Sequence, residues 1–424
     1  MKRRAFLGVG SKTLAIALAP CATRSGLLFD QQQSQVLPHA LEQRIAAVIQ
    51  AYDSQGNHRT GTEVDNASAE WLAEQVRQLG AEPSLEPFTL DRLDPQSCCL
   101  HVEGRRIDGV PVFDGGFTNA EGVRGRLGPL GSEAEIGLAE SEPYKLAEPG
   151  IEHRSQVSEA RRSRHKAVVV LTRGARPGLF LMNASAFRKP FGPPMLQISS
   201  VESNWLNQQA QSHTKATLVA QVRRTTAQAF NVTVKIAGSN ATLAPLVLMA
   251  PRSAWWQCVS EQGSRLVCWL EAIRVMATGK PARDCYFVAL SGHELDLLGM
   301  DAYIKRRPDL IRRAHAWIFF GSDIGAPRQP NLIHASDEAL EQWTVVTMTK
   351  EGLTVNGKAP RHSIARGEAG AVQQGGGRFV TVACGSELYH SVADRWPEAV
   401  DVAALTRYAK GFANGALELA QQSV

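Results

Sequence analysis

Two short clusters of polar residues each follow directly on an apolar run: Arg252, Ser253 and Glu261 after LVLMA (Leu246 to Ala250), and Ser291, His293 and Glu294 after CYFVAL (Cys285 to Leu290). These side chains offer proton transfer and the binding of charged groups. A histidine takes a proton near neutral pH because its unperturbed pKa lies near 6.5. His293 could act as such a base, donate a ligand nitrogen, or serve only as a hydrogen-bonding residue.

The elements that must position these residues are legible around them. The two apolar runs, with their β-branched and aromatic content, predict strands buried on both faces. Between them, Leu266, Leu270, Ile273 and Met276 recur at helical spacing from Ser264 to Thr278, and Gly279-Lys280-Pro281 stops the helix. Strand, crossover helix and strand make a βαβ unit with a parallel sheet. Ligands in such sheets collect beyond the carboxyl ends of the strands, where both polar clusters sit.

With 424 residues the chain exceeds the size at which a single core stops growing, so two domains are expected. A hydrophobic fraction of 44% is that of a globular protein, and a formal charge of +5 gives nucleic-acid binding little support. The runs Arg161-Arg162-Ser163-Arg164 and Lys305-Arg306-Arg307 read as solvated faces. No GxSxG elbow, Walker loop or dinucleotide fingerprint is present. The seven cysteines contain no CxxC pair, which argues against a thiolate zinc site. Cys268 and Cys285 fall in the expected helix and strand as small hydrophobes, and Cys98-Cys99 offers a bridge whose partner is open.

The stretch Pro245 to Tyr303 resembles the metal-binding heart of the secreted zinc aminopeptidases, the bacterial leucyl aminopeptidase and glutamate carboxypeptidase-like peptidases. That family places a His and an Asp at the end of one strand, a bridging Asp on the next loop, and a Glu-Glu pair after a second strand. Here those places hold Pro251, Ser253, Glu261 and His293-Glu294. The likeness extends over most of the chain. HRTG (His58 to Gly61) looks like a family turn between two amphipathic helices, the first carrying Leu41, Ile45, Val48 and Ile49, the second Trp71, Leu72, Val76 and Leu79. HKAVVVLTRGA (His165 to Ala175) and GPPMLQISSVESNWLNQQA (Gly192 to Ala210) resemble the family's protease-associated insert. Ala227 to Ser239 looks like the strand returning to the main domain. AHAWIFFGSDIGAP (Ala314 to Pro327) is an apolar strand ending at an acidic residue, and Tyr389-His390-Ser391 resembles the terminal Tyr-His motif.

The resemblance implies an α/β fold, a three-layer α/β/α domain with a mixed, largely parallel sheet, plus an inserted β-rich domain. The expected organisation is an export signal over 1–22, a first part of the main domain over 38–92, the insert over 93–228, and a second part over 229–424. Arg3-Arg4 before Phe6-Leu7 and LAIALAP resemble a twin-arginine export signal to the periplasm, too short and interrupted for a stable membrane span. Cleavage after Ala19 or Ala22, or lipidation at Cys21, are the open alternatives, and Pro20 fits lipidation poorly.

It also implies site roles. Glu261, Glu294 and His390 remain as ligands for one zinc, and the general-base position holds His293. A second zinc would have needed a His where Pro251 stands and an Asp at Asp323, a position Ser322 matches equally well. Proline has no ligand atom, so the expectation is one zinc at most. Arg252 would repel zinc and favour a carboxylate such as a peptide terminus. Trp255, Trp256 and Tyr389 would line the ligand site, the tryptophans alternatively being core. Three functions compete: an exported zinc aminopeptidase with weak or altered hydrolysis, an inactive peptidase-like protein that binds a peptide or other small amine or carboxylate, and a single-zinc acyltransferase resembling glutaminyl cyclases. Those cyclases keep an acidic residue where His293 stands, which counts against the third.

Overall fold

The computed structural model describes residues 29–141 and 156–422. The expected export signal over 1–22, with Cys21, lies outside the described residues. The chain divides into two units, Met1–Leu41 and Glu42–Val424, and the site belongs to the second.

The elements that matter to the site are helices α1 (Phe29–Ser54) and α2 (Glu63–Gln78), the long strand β1 (Pro83–Val102), strands β2 (Val123–Pro129), β3 (Ile136–Ser141), β4 (Ala167–Thr172) and β5 (Met195–Ser199), helix α3 (Ser203–Gln211), and the long strand β6 (Lys215–Ile236). Strand β7 (Leu246–Pro251), helix α4 (Ser264–Gly279) and strand β8 (Cys285–Leu290) follow, then helix α5 (Leu298–Lys305), strands β9 (Ala316–Phe320) and β10 (Asn331–Ala335), helix α6 (Glu368–Gln374), strand β11 (Phe379–Cys384) and helix α7 (Val402–Gln421).

The main sheet is mixed and largely parallel. Strands β8, β7, β9 and β11 lie side by side and parallel, with β10 antiparallel outside β11 and β6 antiparallel outside β8. Both faces are covered, as continuous apolar strands require. On one face Val247, Met249, Val288, Leu290, Trp317 and Phe319 pack with Met300 and Tyr303 of α5 and with Ala369 and Val372 of α6. On the other, Trp269 of α4 meets Phe287 edge-on at 6.1 Å and Phe412 of α7 meets Phe320 at 5.6 Å. The expected βαβ unit is present, and Lys280, at φ +52°, makes the left-handed turn that ends α4.

The composition changes where the backbone pairing does not. Strands β1 and β6 pair antiparallel from Pro83↔Val234 to Val102↔Ala216, interrupted by one bulge between Pro95 and Ser97. The expected boundaries at 92/93 and 228/229 therefore fall inside two continuous strands. At their far end β6 pairs β2, which leads through the parallel strands β3, β4 and β5 into a second core of Leu127, Ile136, Val169, Leu196, Leu206 and Leu218. Every cysteine among the described residues is free, Cys98 and Cys99 included. No helix among them is long and apolar enough to cross a membrane.

Candidate functional site

Strand β7 ends at Pro251, paired with Leu290 at the end of β8, and the amide of Arg252 donates to the Leu290 carbonyl at 2.7 Å. Both polar clusters thus leave the sheet at its carboxyl edge. The turn His58 to Gly61 docks on the first of them, the Ala254 amide donating to the His58 carbonyl and the His58 amide to the Trp256 carbonyl. His58 is wholly buried, stacked on Tyr52 at 3.8 Å, and burial together with the nearby Arg252 charge takes its pKa down to about 3.

A first network is built around Arg252. Its guanidinium is fully buried and donates from Nη1 to the Asp65 carboxylate at 2.8 Å and from Nη2 to the Phe230 carbonyl at 2.6 Å. Asp65 also accepts from the Gly61 amide and the Ser291 hydroxyl, both at 2.8 Å. Glu294 belongs to the same region. Its Oε1 accepts from the Thr60 amide and hydroxyl at 3.0 and 2.6 Å, and its Oε2 from Ser253 Oγ at 2.7 Å. Ser253 Oγ in turn accepts the Gly292 amide at 2.8 Å. Both Glu294 oxygens are thereby held by neighbouring protein donors.

A second network gathers Glu261, His390, Asp323, Asp394, His293 and Glu368. After Cys258, at φ +47°, a wide turn over Val259–Gly263 opens α4. The Asp394 carboxylate accepts the buried amides of that turn that lack a partner within the helix, Ser260 at 2.8 Å and Glu261 at 3.1 Å, as a helix start requires. Glu261 Oε1 meets His390 Nε2 at 3.3 Å and accepts from Gln262 at 2.9 Å, while its Oε2 is buried with no hydrogen-bond partner. Burial alone would raise the Glu261 carboxyl, but His390 first and then Arg265 hold it down at about 2. His390, at φ +60°, turns Nδ1 to the Leu181 carbonyl at 2.5 Å and stacks on Tyr389 at 3.8 Å.

Of Ser322 and Asp323, it is Asp323 whose carboxylate accepts from Ser260 Oγ, at 3.0 Å. Burial and then the neighbouring Glu261 charge push its pKa up to about 7; burial and Asp323 push Asp394 up as well. His293 Nδ1 lies 2.8 Å from Glu368 Oε1. Burial would lower the imidazole, but the Glu368 carboxylate outweighs it and raises the His293 pKa, while the same pairing lowers that of Glu368 against burial. Arg265, in the first turn of α4, is 6% exposed, and its Nε has no partner.

The expected site residues thus divide. Glu261 and His390 touch, with Asp323 joined to the same turn through Ser260, whereas Glu294 is bonded into the Arg252 region. One set of three ligand-type atoms within 4.8 Å of one another occurs among the described residues, that of Cys258, Glu261 and Asp394, all buried. The expected trio of Glu261, Glu294 and His390 is not such a set. Asp394 already spends its oxygens on backbone amides, and burial first, then Glu261, keeps the Cys258 thiol protonated. Trp255 is 2% exposed, stacked on Phe113 at 4.8 Å with its indole N–H on Asn183. Asp65, Ser260, Arg265 and Glu368 fall outside every motif of the sequence, while Thr60 in the His58 to Gly61 turn and Asp394 after the Tyr389-His390-Ser391 motif carried no expected site role. Asp394, four residues after His390, carries the nearest thing to a local signal.

No family model and no curated protein matches the chain. Solved structures do. The chain is similar to a zinc aminopeptidase from Bacillus subtilis, at 16% identity and a TM-score of 0.73, over 91% of this chain and 95% of that one. It is also similar to an aminopeptidase from Aneurinibacillus sp. strain AM-1, at 15% identity and a TM-score of 0.67 over 90% and 94% of the two chains. A peptidase M28 precursor from Shewanella amazonensis matches at 16% identity and a TM-score of 0.68 over 93% and 98%. At such identities the likeness is one of fold, and it is the fold that the resemblance in the sequence implies.

Proposed function

We propose that the chain is a divergent member of the zinc aminopeptidase family, exported through its twin-arginine leader, that has lost the family's two-zinc hydrolysis. It would hold one zinc at most, turn over peptides weakly or not at all, and bind a peptide or another small amine or carboxylate at the carboxyl edge of the sheet. The fold shared with zinc aminopeptidases supports the family. The observation that carries the loss is Glu294: Thr60 takes two acceptor sites of Oε1 and Ser253 one of Oε2, and Glu294 does not join Glu261 and His390 in one set of ligand atoms.

Two further features support the same reading. Pro251 offers no ligand atom at the end of β7. The residue at the general-base position, His293, has Nδ1 on a buried carboxylate that favours its charged form, the form unable to accept a proton. The β-rich region from β2 to β5 is read as the protease-associated-like insert. Assays on a panel of aminoacyl nitroanilides and short peptides test the reading: the expected result is no amino-acid release above a heat-treated control, with unlabelled peptides raising the melting temperature. Robust release that disappears in Glu261→Gln would overturn it.

A further inference from the structure

The second network contains two buried groups of opposite charge that the fold leaves unsatisfied. Glu261 Oε2 has no hydrogen-bond partner, and neither does Arg265 Nε. They stand four residues apart, where the wide turn over Val259–Gly263 runs into α4. Arg265 is 6% exposed, yet no carboxylate oxygen of the described residues lies within ion-pair distance of its guanidinium. Its charge is nonetheless felt across the pocket, by Glu261, Asp323, Glu368, His293 and Tyr389.

A buried guanidinium without an ion pair is costly, as is a buried cluster of carboxylates without a cation. Here each offsets the other through the pocket, without direct contact. We infer that Arg265 is the resident counter-charge of this pocket and takes the electrostatic place of a divalent cation, so that the native centre holds no zinc. This rests on the family reading above and goes past it, from one zinc at most to none. The residues do not fit a zinc ion as they stand. The expected ligands are not assembled, and a fixed cation among the remaining carboxylates weakens binding of a divalent ion by about a hundredfold or more. What survives is the donor chemistry of a metal site: His390 holds its Nδ1 on a backbone carbonyl, as metal-bound histidines do, with Nε2 turned to Glu261.

The test is metal content and zinc or cobalt titration of the mature protein, purified without chelator, beside Arg265→Gln and Arg265→Lys. The native protein and Arg265→Lys should contain no stoichiometric zinc and show no shift in melting temperature with zinc or chelator. Arg265→Gln should gain zinc affinity by about a hundredfold or more, seen as a zinc-dependent rise in melting temperature and a cobalt d–d absorption band. If Arg265→Gln folds only when zinc is supplied, that too supports the replacement. Stoichiometric zinc in the native protein, lost in Glu261→Gln, overturns it. So does an Arg265→Gln variant that takes up no metal, or one that stays unfolded with zinc present. Peptide release by a metal-free native protein would instead sink the proposed function and leave the role of Arg265 standing.

Discussion

At the scale of single residues, the Arg252–Asp65 pair is structural in its consequences. Both side chains are fully buried, and removing one partner strands the other's charge away from water. Arg252→Met should cost about 3–5 kcal/mol in urea unfolding. The double variant with Asp65→Asn should cost less than the sum of the singles, because neither change then leaves a bare charge. His58 sets a pH dependence. Its folded pKa is depressed from 6.5 to about 3, so its contribution is fully present above pH 6.5 and is lost as pH falls. Each pH unit well below that value should remove up to about 1.4 kcal/mol, which integrates to about 1.6 kcal/mol between pH 6.5 and 5. Urea titrations at those two pH values check this, and His58→Phe should lack that part of the slope. Glu261, His293, Asp323 and His390 were legible because each lies where a strand ends or a resembling motif falls. Thr60, Asp65 and Glu368 were not, since they arrive from elements far away in sequence. Arg265 stood among helical apolar positions as one more polar-face cation, and nothing local says that this face looks into the protein.

At the scale of elements, the strands β7 and β8 and the helix between them follow from apolar runs and a 3.6-residue period, and the structure has them within a residue or two. The local pattern did not carry the way the loops after those strands are pinned. The turn after β8 is seated by Gly299: a Cβ there would lie 2.0 Å from the Ser291 carbonyl oxygen and 2.6 Å from Asn231 Oδ1, itself bonded to the Ser291 amide. Neither atom can withdraw, because Asn231 also donates to the Gly299 carbonyl at 2.8 Å. Gly299→Ala should therefore move Ser291 to Glu294 away from the Asp65 and Ser253 partners and cost about 2 kcal/mol or more, a strain of the overpacking kind. Thermal unfolding gives the cost, and amide exchange at Gly292 reports the moved turn; a variant matching the native protein in both would show the seat to be loose.

At the scale of the whole molecule, the sequence divides more sharply than the chain does. The change to Gly- and Pro-rich composition after residue 92 suggests a separable insert, but β1 and β6 carry one hydrogen-bonded ladder from the main sheet into the second core, and Glu42–Val424 is a single unit. A strand that passes between two cores keeps its pairing while its neighbours change, and composition registers only the neighbours. The bulge at Pro95–Ser97 lets the ladder bend without breaking. Cooperativity should follow the ladder. Leu196 is fully buried in the second core, so Leu196→Ala should cost about 2–5 kcal/mol. Native-state hydrogen exchange at Val247 to Met249 of β7 then decides how far that cost travels. If the two cores unfold as one, the slowest β7 amides should lose the same free energy as those of Val168 to Leu171 in β4. If β7 keeps its protection while β4 loses its own, the long strands are a hinge between two folding units rather than the spine of one.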